Sequence, residues 1–290
     1  MPTNRLVLGC AQVGLECGIA QNGCVSDEEV KKIFDYANEV DISTLDTAIA
    51  YGVSEERLGK LGVQSWKIIS KIPPIPEERY NIFEWVNNSL RYSLVRLKVE
   101  KLYGFLLHRS GDLLSFNGDK IYDALIRLKR EGFIEKIGIS IYDPAELEML
   151  CSRYSFDIVQ APFSLFDDRL LKSGWLSELT KRGIEVHVRS IFLQGLLLMK
   201  RNERDKRFER WSGLWLDFEN WLNQNQLTPL QACLNYVISF PQIHQVIVGI
   251  DSLIHLKEIF AVVMEPQNNI QPEFGVSDVA LLNPSNWGTL

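Results

Sequence analysis

The sequence predicts an α/β fold, a (β/α)8 barrel in a single domain. Three observations predict it. Short β-branched runs alternate with longer amphipathic segments along the 290 residues. The alternation yields eight strands, nearly all followed by a helix. Polar residues close most of the strand runs, far apart in sequence but at equivalent places. Such alternation means parallel strands joined by right-handed crossovers. Eight units in a chain near the usual barrel length of about 250 residues point to closure. A doubly wound open sheet is the alternative.

The elements follow in order. Leu6 to Gln12 reads as the first strand. Ser26-Asp-Glu-Glu29 is a capping box that opens a helix with Val30, Ile33, Phe34 and Ala37 on one face. Thr44 to Asp46 is a short strand and Ser54 to Leu61 a short helix. Trp66 to Lys71 is the third strand, stopped by the Pro-rich turn Pro73-Pro74-Ile75-Pro76. Glu77 to Leu97 reads as a long helix, and Lys101 to His108 as the fourth strand. Asp119 to Glu131 is a helix closed by Gly132, and Ile134 to Ser140 the fifth strand. A helix over Pro144 to Tyr154 precedes the sixth strand, Asp157 to Gln160. Leu170 to Arg182 reads as one helix ending at Gly183, before strand seven at Ile184 to Arg189. A charged, Trp-rich insertion runs over 200–226, where Trp211, Leu214, Trp215 and Phe218 have the spacing of an amphipathic helix packed on the barrel. Thr228-Pro229 is an N-cap and N1 pair, Gln245 to Gly249 the eighth strand, and the last core helix starts near Ser252. The core thus covers about 5–263. The tail over 264–290 carries little pattern and reads as irregular.

Composition narrows the function class. A net charge of −6 argues against a general nucleic-acid binder or an anionic-membrane binder. No apolar run approaches the roughly 20 residues that span a bilayer, and the first residues lack a signal-peptide layout. The five cysteines are an odd count in a long chain, which suggests reduced thiols and a cytoplasmic setting. Cys10, Cys17 and Cys24 are spaced by seven, but without C-x-x-C or a nearby histidine they do not read as a metal site. Gly14, Gly18 and Gly23 share one loop without forming G-x-G-x-x-G, so a dinucleotide-binding doubly wound sheet lacks its fingerprint.

A barrel of this kind gathers its chemistry at the C-terminal ends of its strands. There the sequence places Asp46 and, in the following loop, Tyr51; then Lys71, His108, Ser140, Gln160, Arg189 and Ser190. Singly, each has a plain reading as a cap, a packed aromatic, a solvated lysine or a core histidine. As a set they have a chemistry. A phenol of pKa about 10 donates a proton poorly at neutral pH. A nearby ammonium favours its ionisation, a carboxylate holds that ammonium in place, and a histidine orients a carbonyl oxygen. The set has no nucleophile–base pair for hydrolysis and no metal triad. A hydride donor is what it lacks, and side chains cannot supply one.

At these residues the chain resembles the aldo-keto reductase family. The matching segments are Leu45-Asp-Thr-Ala-Ile-Ala-Tyr-Gly52 with Ser54-Glu55, Ile69-Ser-Lys71, and Leu107-His108. Further matches are Lys136-Ile-Gly-Ile-Ser140, Val159-Gln160 and Gln194-Gly-Leu196, and the likeness runs from about Leu6 to Val263. The resemblance implies a nicotinamide-dependent reduction of a carbonyl or sugar. Tyr51 is then the general acid, tuned by Lys71 with Asp46, and His108 orients the substrate. Ser140 and Gln160 hold the carboxamide. Arg189, Ser190 and the loop Leu193, Gln194, Gly195 and Leu196 line the cofactor towards its pyrophosphate, and Gly249, Asp251, Ser252 and His255 lie near the adenosine. The family's usual cofactor is NADP. Here Ile141 and Ile259 stand where many relatives have asparagine, and Arg189 where an aromatic often stacks on the nicotinamide. Asp251 stands where a basic residue often meets the 2′-phosphate, which makes NAD the alternative. Two other functions remain open from the residues: a class I aldolase with Lys71 as Schiff base, and a regulatory protein that binds cofactor without turning over. The substrate and the oligomeric state are not encoded legibly.

Overall fold

The computed structural model describes residues 5–15, 23–76, 81–249, 251–265, 272 and 274–289. Eight parallel strands close in sequential order: β1 (Leu6–Gly9), β2 (Thr44–Asp46), β3 (Lys67–Ile72), β4 (Leu102–Leu107), β5 (Ile134–Ser140), β6 (Ile158–Pro162), β7 (Glu185–Arg189) and β8 (Gln245–Gly249), with β8 pairing back onto β1. The open-sheet alternative is thereby excluded. The helices are α1 (Ala11–Gly14), α2 (Asp27–Glu39), α3 (Ser54–Leu61), α4 (Ile82–Leu97), α5 (Gly118–Arg130), α6 (Glu146–Arg153), α7 (Arg169–Lys172), α8 (Trp175–Lys181), α9 (Ser212–Asn225), α10 (Pro229–Ile238), α11 (Leu253–Met264) and α12 (Val279–Leu282).

Two apolar cores result, because successive side chains on a strand face opposite ways. The larger lies between strands and helices. The smaller lies inside the barrel, where Ile69, Leu106 and Ile158 meet. Gly104 and Gly138 face the same interior, since a Cβ on either would press on Leu106 and Ile158. Two residues further along each strand the pleat returns inward, one layer higher. The residues there are Lys71, His108, Ser140 and Gln160. Strand pleat alone therefore gathers side chains from four strands at one mouth. Below the apolar layer, Glu185 accepts from Lys136 Nζ and from Tyr103 Oη at 3.1 Å, and lies 3.2 Å from His187 Nε2. These groups form a charged floor at the opposite end. The hydrogen bonds from His187 and Lys136 overcome burial and hold the Glu185 carboxyl down at about 2.

Several element boundaries differ from the sequence reading, each for a local reason. The first strand stops at Gly9, and Ala11–Gly14 turns helical. The long fourth helix starts at Ile82, where the Asn81 side chain accepts from the Glu84 amide at 3.1 Å; residues 77–80 lie outside the described residues. The helix read over Leu170 to Arg182 is two pieces, because Gly174 at φ 79° interrupts it. The Ser26 box is half formed. Ser26 accepts from the Glu29 amide, but the Glu29 carboxylate is engaged elsewhere. At Thr228 the full box forms with Gln231, behind Pro229.

The insertion packs as the spacing indicates, with Trp215, Phe218 and Leu222 of α9 buried. The tail is less irregular than expected. Its α12 is followed by a short 3-10 helix, Pro284–Thr289. The Trp287 ring is buried edge-on against Phe208 at 5.0 Å, and its indole N–H donates to the Leu281 carbonyl at 3.0 Å. The tail thus closes over the insertion. No helix among the described residues is long and apolar enough to cross a membrane.

Candidate functional site

The mouth is built on a buried ion pair. Lys71 Nζ donates to Asp46 Oδ1 at 2.5 Å and to the Thr47 carbonyl at 3.0 Å. Lys71 is 1% exposed and Asp46 4%. The other Asp46 oxygen accepts from Gln160 Nε2 at 2.8 Å, so one carboxylate ties β2 to β3 and β6. Burial opposes the charge on Lys71, but Asp46 and the Tyr51 phenol outweigh it and raise its pKa, so it stays an ammonium. A charged, hydrogen-bonded ammonium has no lone pair for a Schiff base, which disfavours the aldolase reading.

Tyr51 stands over this pair, with the Lys71 ammonium 5.4 Å from its ring centroid. The His108 ring packs edge-on against it at 5.7 Å. Lys71 is the strongest influence on the phenol and pulls its pKa down, but burial, Asp46 and Tyr142 together push the net result up. The sequence reading anticipated the pull and missed the counterweights. A phenol in this state is protonated at neutral pH and ready to donate. The His108 imidazole is pushed down to about 4, chiefly by burial and then by Lys71. It is neutral at pH 7.

The loop that carries Tyr51 is locked by residues within the matching motif. Ser54 Oγ donates to the Cys10 carbonyl at 2.9 Å and lies 3.0 Å from Thr47 Oγ1. Glu55 is buried and accepts from Ser70 Oγ at 2.6 Å, from Ser93 Oγ at 2.5 Å, and from Arg96 Nε and Nη2 at 2.9 and 2.6 Å. This knot fastens α3 to β3 and α4. Gly14 completes the fit. A Cβ there would lie 2.0 Å from the Tyr51 carbonyl, so α1 can press against the Tyr51 turn only as glycine.

The cofactor candidates fall into three groups. The first is Ser140 and Gln160, register partners on β5 and β6 and both buried. Neither Ser140 Oγ nor Gln160 Oε1 has a hydrogen-bond partner among the described residues, and the same holds for Tyr51 Oη and the His108 ring nitrogens. Polar atoms left open together at one mouth fit a carbonyl and a carboxamide. The second group is the loop after β7. Ser190, Leu193 and Gln194 have φ of 59°, 46° and 55°, followed by Gly195 at 91°. Left-handed non-glycine residues are uncommon and concentrate at ligand sites, and such turns aim backbone N–H groups at anions. Arg189 itself donates to the Ile141 carbonyl at 2.9 Å and lies over the Tyr142 ring at 4.4 Å.

The third group, Gly249, Asp251, Ser252 and His255, lies at the end of β8 and the start of α11. The Ser252 side chain caps α11 by accepting from the His255 amide at 3.2 Å, and Asp251 is hydrogen-bonded to His255 Nδ1. The structure adds a residue that sequence reasoning missed. Glu29 of α2 accepts from the Leu253 amide at 2.8 Å, placing a second carboxylate on the first turn of α11. Its partner is 224 positions away, and no local pattern reports that. Among the described residues no group of His, Cys, Asp or Glu has a metal-binding arrangement; Cys17 lies outside them.

The neutral His108 has a consequence for stability. An unfolded imidazole takes up a proton as pH falls through about 6.5, while the folded one resists to about 4. The associated stability is therefore complete above the upper value and is lost as pH falls between the two. The urea midpoint of the wild-type protein is expected to fall more from pH 7 to pH 5 than that of His108→Asn. Equal declines would contradict a buried, neutral imidazole.

Fold and site together define a closed (β/α)8 barrel whose polar groups meet at the C-terminal ends of its strands. The chain belongs to the aldo/keto reductase family, whose model matches residues 5–269. Membership implies NAD(P)-dependent carbonyl oxidoreduction. Among solved structures, the chain is similar to AKR11C1 from Bacillus halodurans in its holo form, with 20% identity, 94% of each chain covered and a TM-score of 0.74. It is also similar to PA4992 of Pseudomonas aeruginosa, assigned to the aldo-keto reductases, with 23% identity, 89% of each chain covered and a TM-score of 0.67. A second structure from that organism, likewise assigned to the aldo-keto reductases, gives 22% identity, 89% and 88% coverage and a TM-score of 0.65. At these identities the likeness speaks for the fold. No curated protein sequence matches the chain.

Proposed function

We propose that this protein reduces a carbonyl compound to an alcohol with a nicotinamide dinucleotide, using Tyr51 as the proton donor. The observation that carries the reading is the buried Lys71–Asp46 pair set directly against the Tyr51 ring, beside open polar atoms of His108, Ser140 and Gln160. A bound dihydronicotinamide supplies the hydride, which no side chain can. Tyr51 Oη delivers a proton to the substrate oxygen as negative charge develops there. Lys71 stabilises the phenolate left behind, and Asp46 keeps the ammonium in place. His108, neutral, orients the carbonyl oxygen. Ser140 Oγ and Gln160 Oε1 face the carboxamide; because Gln160 Nε2 is fixed by Asp46, its oxygen is presented as an acceptor. The loop 190–196 holds the pyrophosphate, and the start of α11 the adenosine.

The Asp251 carboxylate, just ahead of α11, favours NAD over the NADP that the family resemblance implies. A 2′-phosphate beside Asp251 meets like charge, whereas the Glu29 carboxylate is already paired with Lys32 at 3.2 Å. Asp251→Arg is expected to move the ratio of NADP to NAD affinity by about tenfold towards NADP, a change of roughly 1.4 kcal/mol. Fluorescence titration with both dinucleotides measures it, and an unchanged ratio counts against this placement of the adenosine. The function itself is tested by following loss of dihydronicotinamide absorbance with small aldehydes, keto sugars and aldoses. Binding of dinucleotide without turnover of any carbonyl would favour a regulatory protein.

A further inference from the structure

One layer above the charged floor stands an imidazole that the reduction does not use. His187 of β7 is fully buried, and its Nε2 lies 3.2 Å from a Glu185 oxygen. Its Nδ1 is buried with no hydrogen-bond partner among the described residues. The neighbouring carboxylate decides which ring nitrogen carries the proton. Glu185 is held down at about 2, so it is ionised and can only accept. Burial pushes the His187 pKa down, so the ring is neutral and carries one proton. That proton sits on Nε2, facing Glu185, and Nδ1 is a bare acceptor. The two nitrogens of an imidazole diverge, so with Nε2 turned to the floor, Nδ1 turns towards the mouth.

Gln160 of β6 is the register partner of His187 and faces the same interior. Its Nε2 carries two N–H groups. One donates to Asp46 Oδ2 at 2.8 Å, and the other has no acceptor among the described residues. A bare acceptor and an uncommitted donor thus stand on neighbouring strands, which lie about 4.8 Å apart. One internal water joins such a pair by accepting from the amide and donating to the imidazole.

We propose that His187 fixes the orientation of the Gln160 amide, so that its oxygen rather than its nitrogen faces the carboxamide of the dinucleotide. The inference rests on the reductase reading above. Hydrogen-bond polarity passes upward from the floor. Glu185 sets the tautomer of His187, and His187 with Asp46 offers two acceptors to the nitrogen end of Gln160. Turned over, the amide would set its oxygen against both. His187 has no exposed surface with which to touch substrate or cofactor, so it is a positioning residue.

Two measurements on the full-length protein test this. Heteronuclear NMR of the wild type is expected to place the His187 proton on Nε2, with the signals assigned by their loss in His187→Gln. A proton on Nδ1 overturns the inference. Fluorescence titration then compares NADH with its acetylpyridine analogue, in which a methyl ketone replaces the carboxamide and leaves no N–H for Gln160 Oε1. The wild type is expected to favour NADH by about tenfold. In His187→Leu that preference is expected to fall by about threefold, and in His187→Gln, which again offers an acceptor, to recover in part. An unchanged preference in His187→Leu overturns the inference and leaves the imidazole as filling. Failure of the underlying reading looks different: the wild type binds neither dinucleotide, or binds both equally, and the inference falls with it. Thermal melts confirm that both variants fold; should they not, the wild-type tautomer decides.

Discussion

Replacement of Tyr51 by phenylalanine is expected to lower kcat for carbonyl reduction by roughly a hundred- to ten-thousandfold, while dinucleotide affinity stays within a few-fold. The substitution removes one oxygen from a ring that otherwise keeps its place between Lys71 and His108. Nothing else at the mouth replaces it as an acid. His108 is neutral and becomes a cationic acid only near pH 4. Lys71 is held as an ammonium, with its pKa raised and two of its N–H groups committed to Asp46 and the Thr47 carbonyl. Stopped-flow hydride transfer at the wild-type rate in Tyr51→Phe would refute the assignment. The phenol's raised pKa gives a matching pH profile: reduction should hold its rate through neutral pH and decline only above the ordinary phenol range near 10.

Asp46→Ala is expected to have the largest effect on stability. It strands a fully buried ammonium, a change that costs about 3–5 kcal/mol. In a chain of this size that corresponds to a melting temperature lower by roughly 10 °C. The Gln160 amide loses its acceptor in the same step, so the β2–β6 tie goes as well. Activity should vanish alongside, because the ammonium beneath Tyr51 is no longer fixed. The double variant Asp46→Leu with Lys71→Met separates the two effects. It removes both charges, so most of the stability should return while turnover does not. A melting temperature unchanged in Asp46→Ala would mean that the pair is not buried as described.

The barrel and its mouth were legible because they follow from period-two alternation. Each strand run is short and largely apolar, and most are closed by a polar residue. Once eight such runs are recognised, the inward positions of Lys71, His108, Ser140 and Gln160 follow from pleat alone. What could not be read depends on partners distant in the chain. Glu55 stands in the matching motif, but its partners Ser70, Ser93 and Arg96 lie on other elements with no shared spacing. Glu29 looked like the second half of a capping box, and only the closed barrel brings the Leu253 amide within its reach. Gln160 was read as a cofactor ligand; what could not be read is that its Nε2 also donates to Asp46. The tail had no periodicity to report, since Trp287 is held by an aromatic contact, its indole bond and a bond from Arg207 to its carbonyl rather than by a repeating face.

The account turns on a dinucleotide lying across this mouth with its reactive ring beside Tyr51. A crystal structure of the protein with NADH tests that most directly. The prediction is a carboxamide bonded to Ser140 Oγ and Gln160 Oε1, with the ring facing the phenol of Tyr51 and the imidazole of His108. Density for the dinucleotide elsewhere on the protein, with Ser140 and Gln160 untouched, would contradict it.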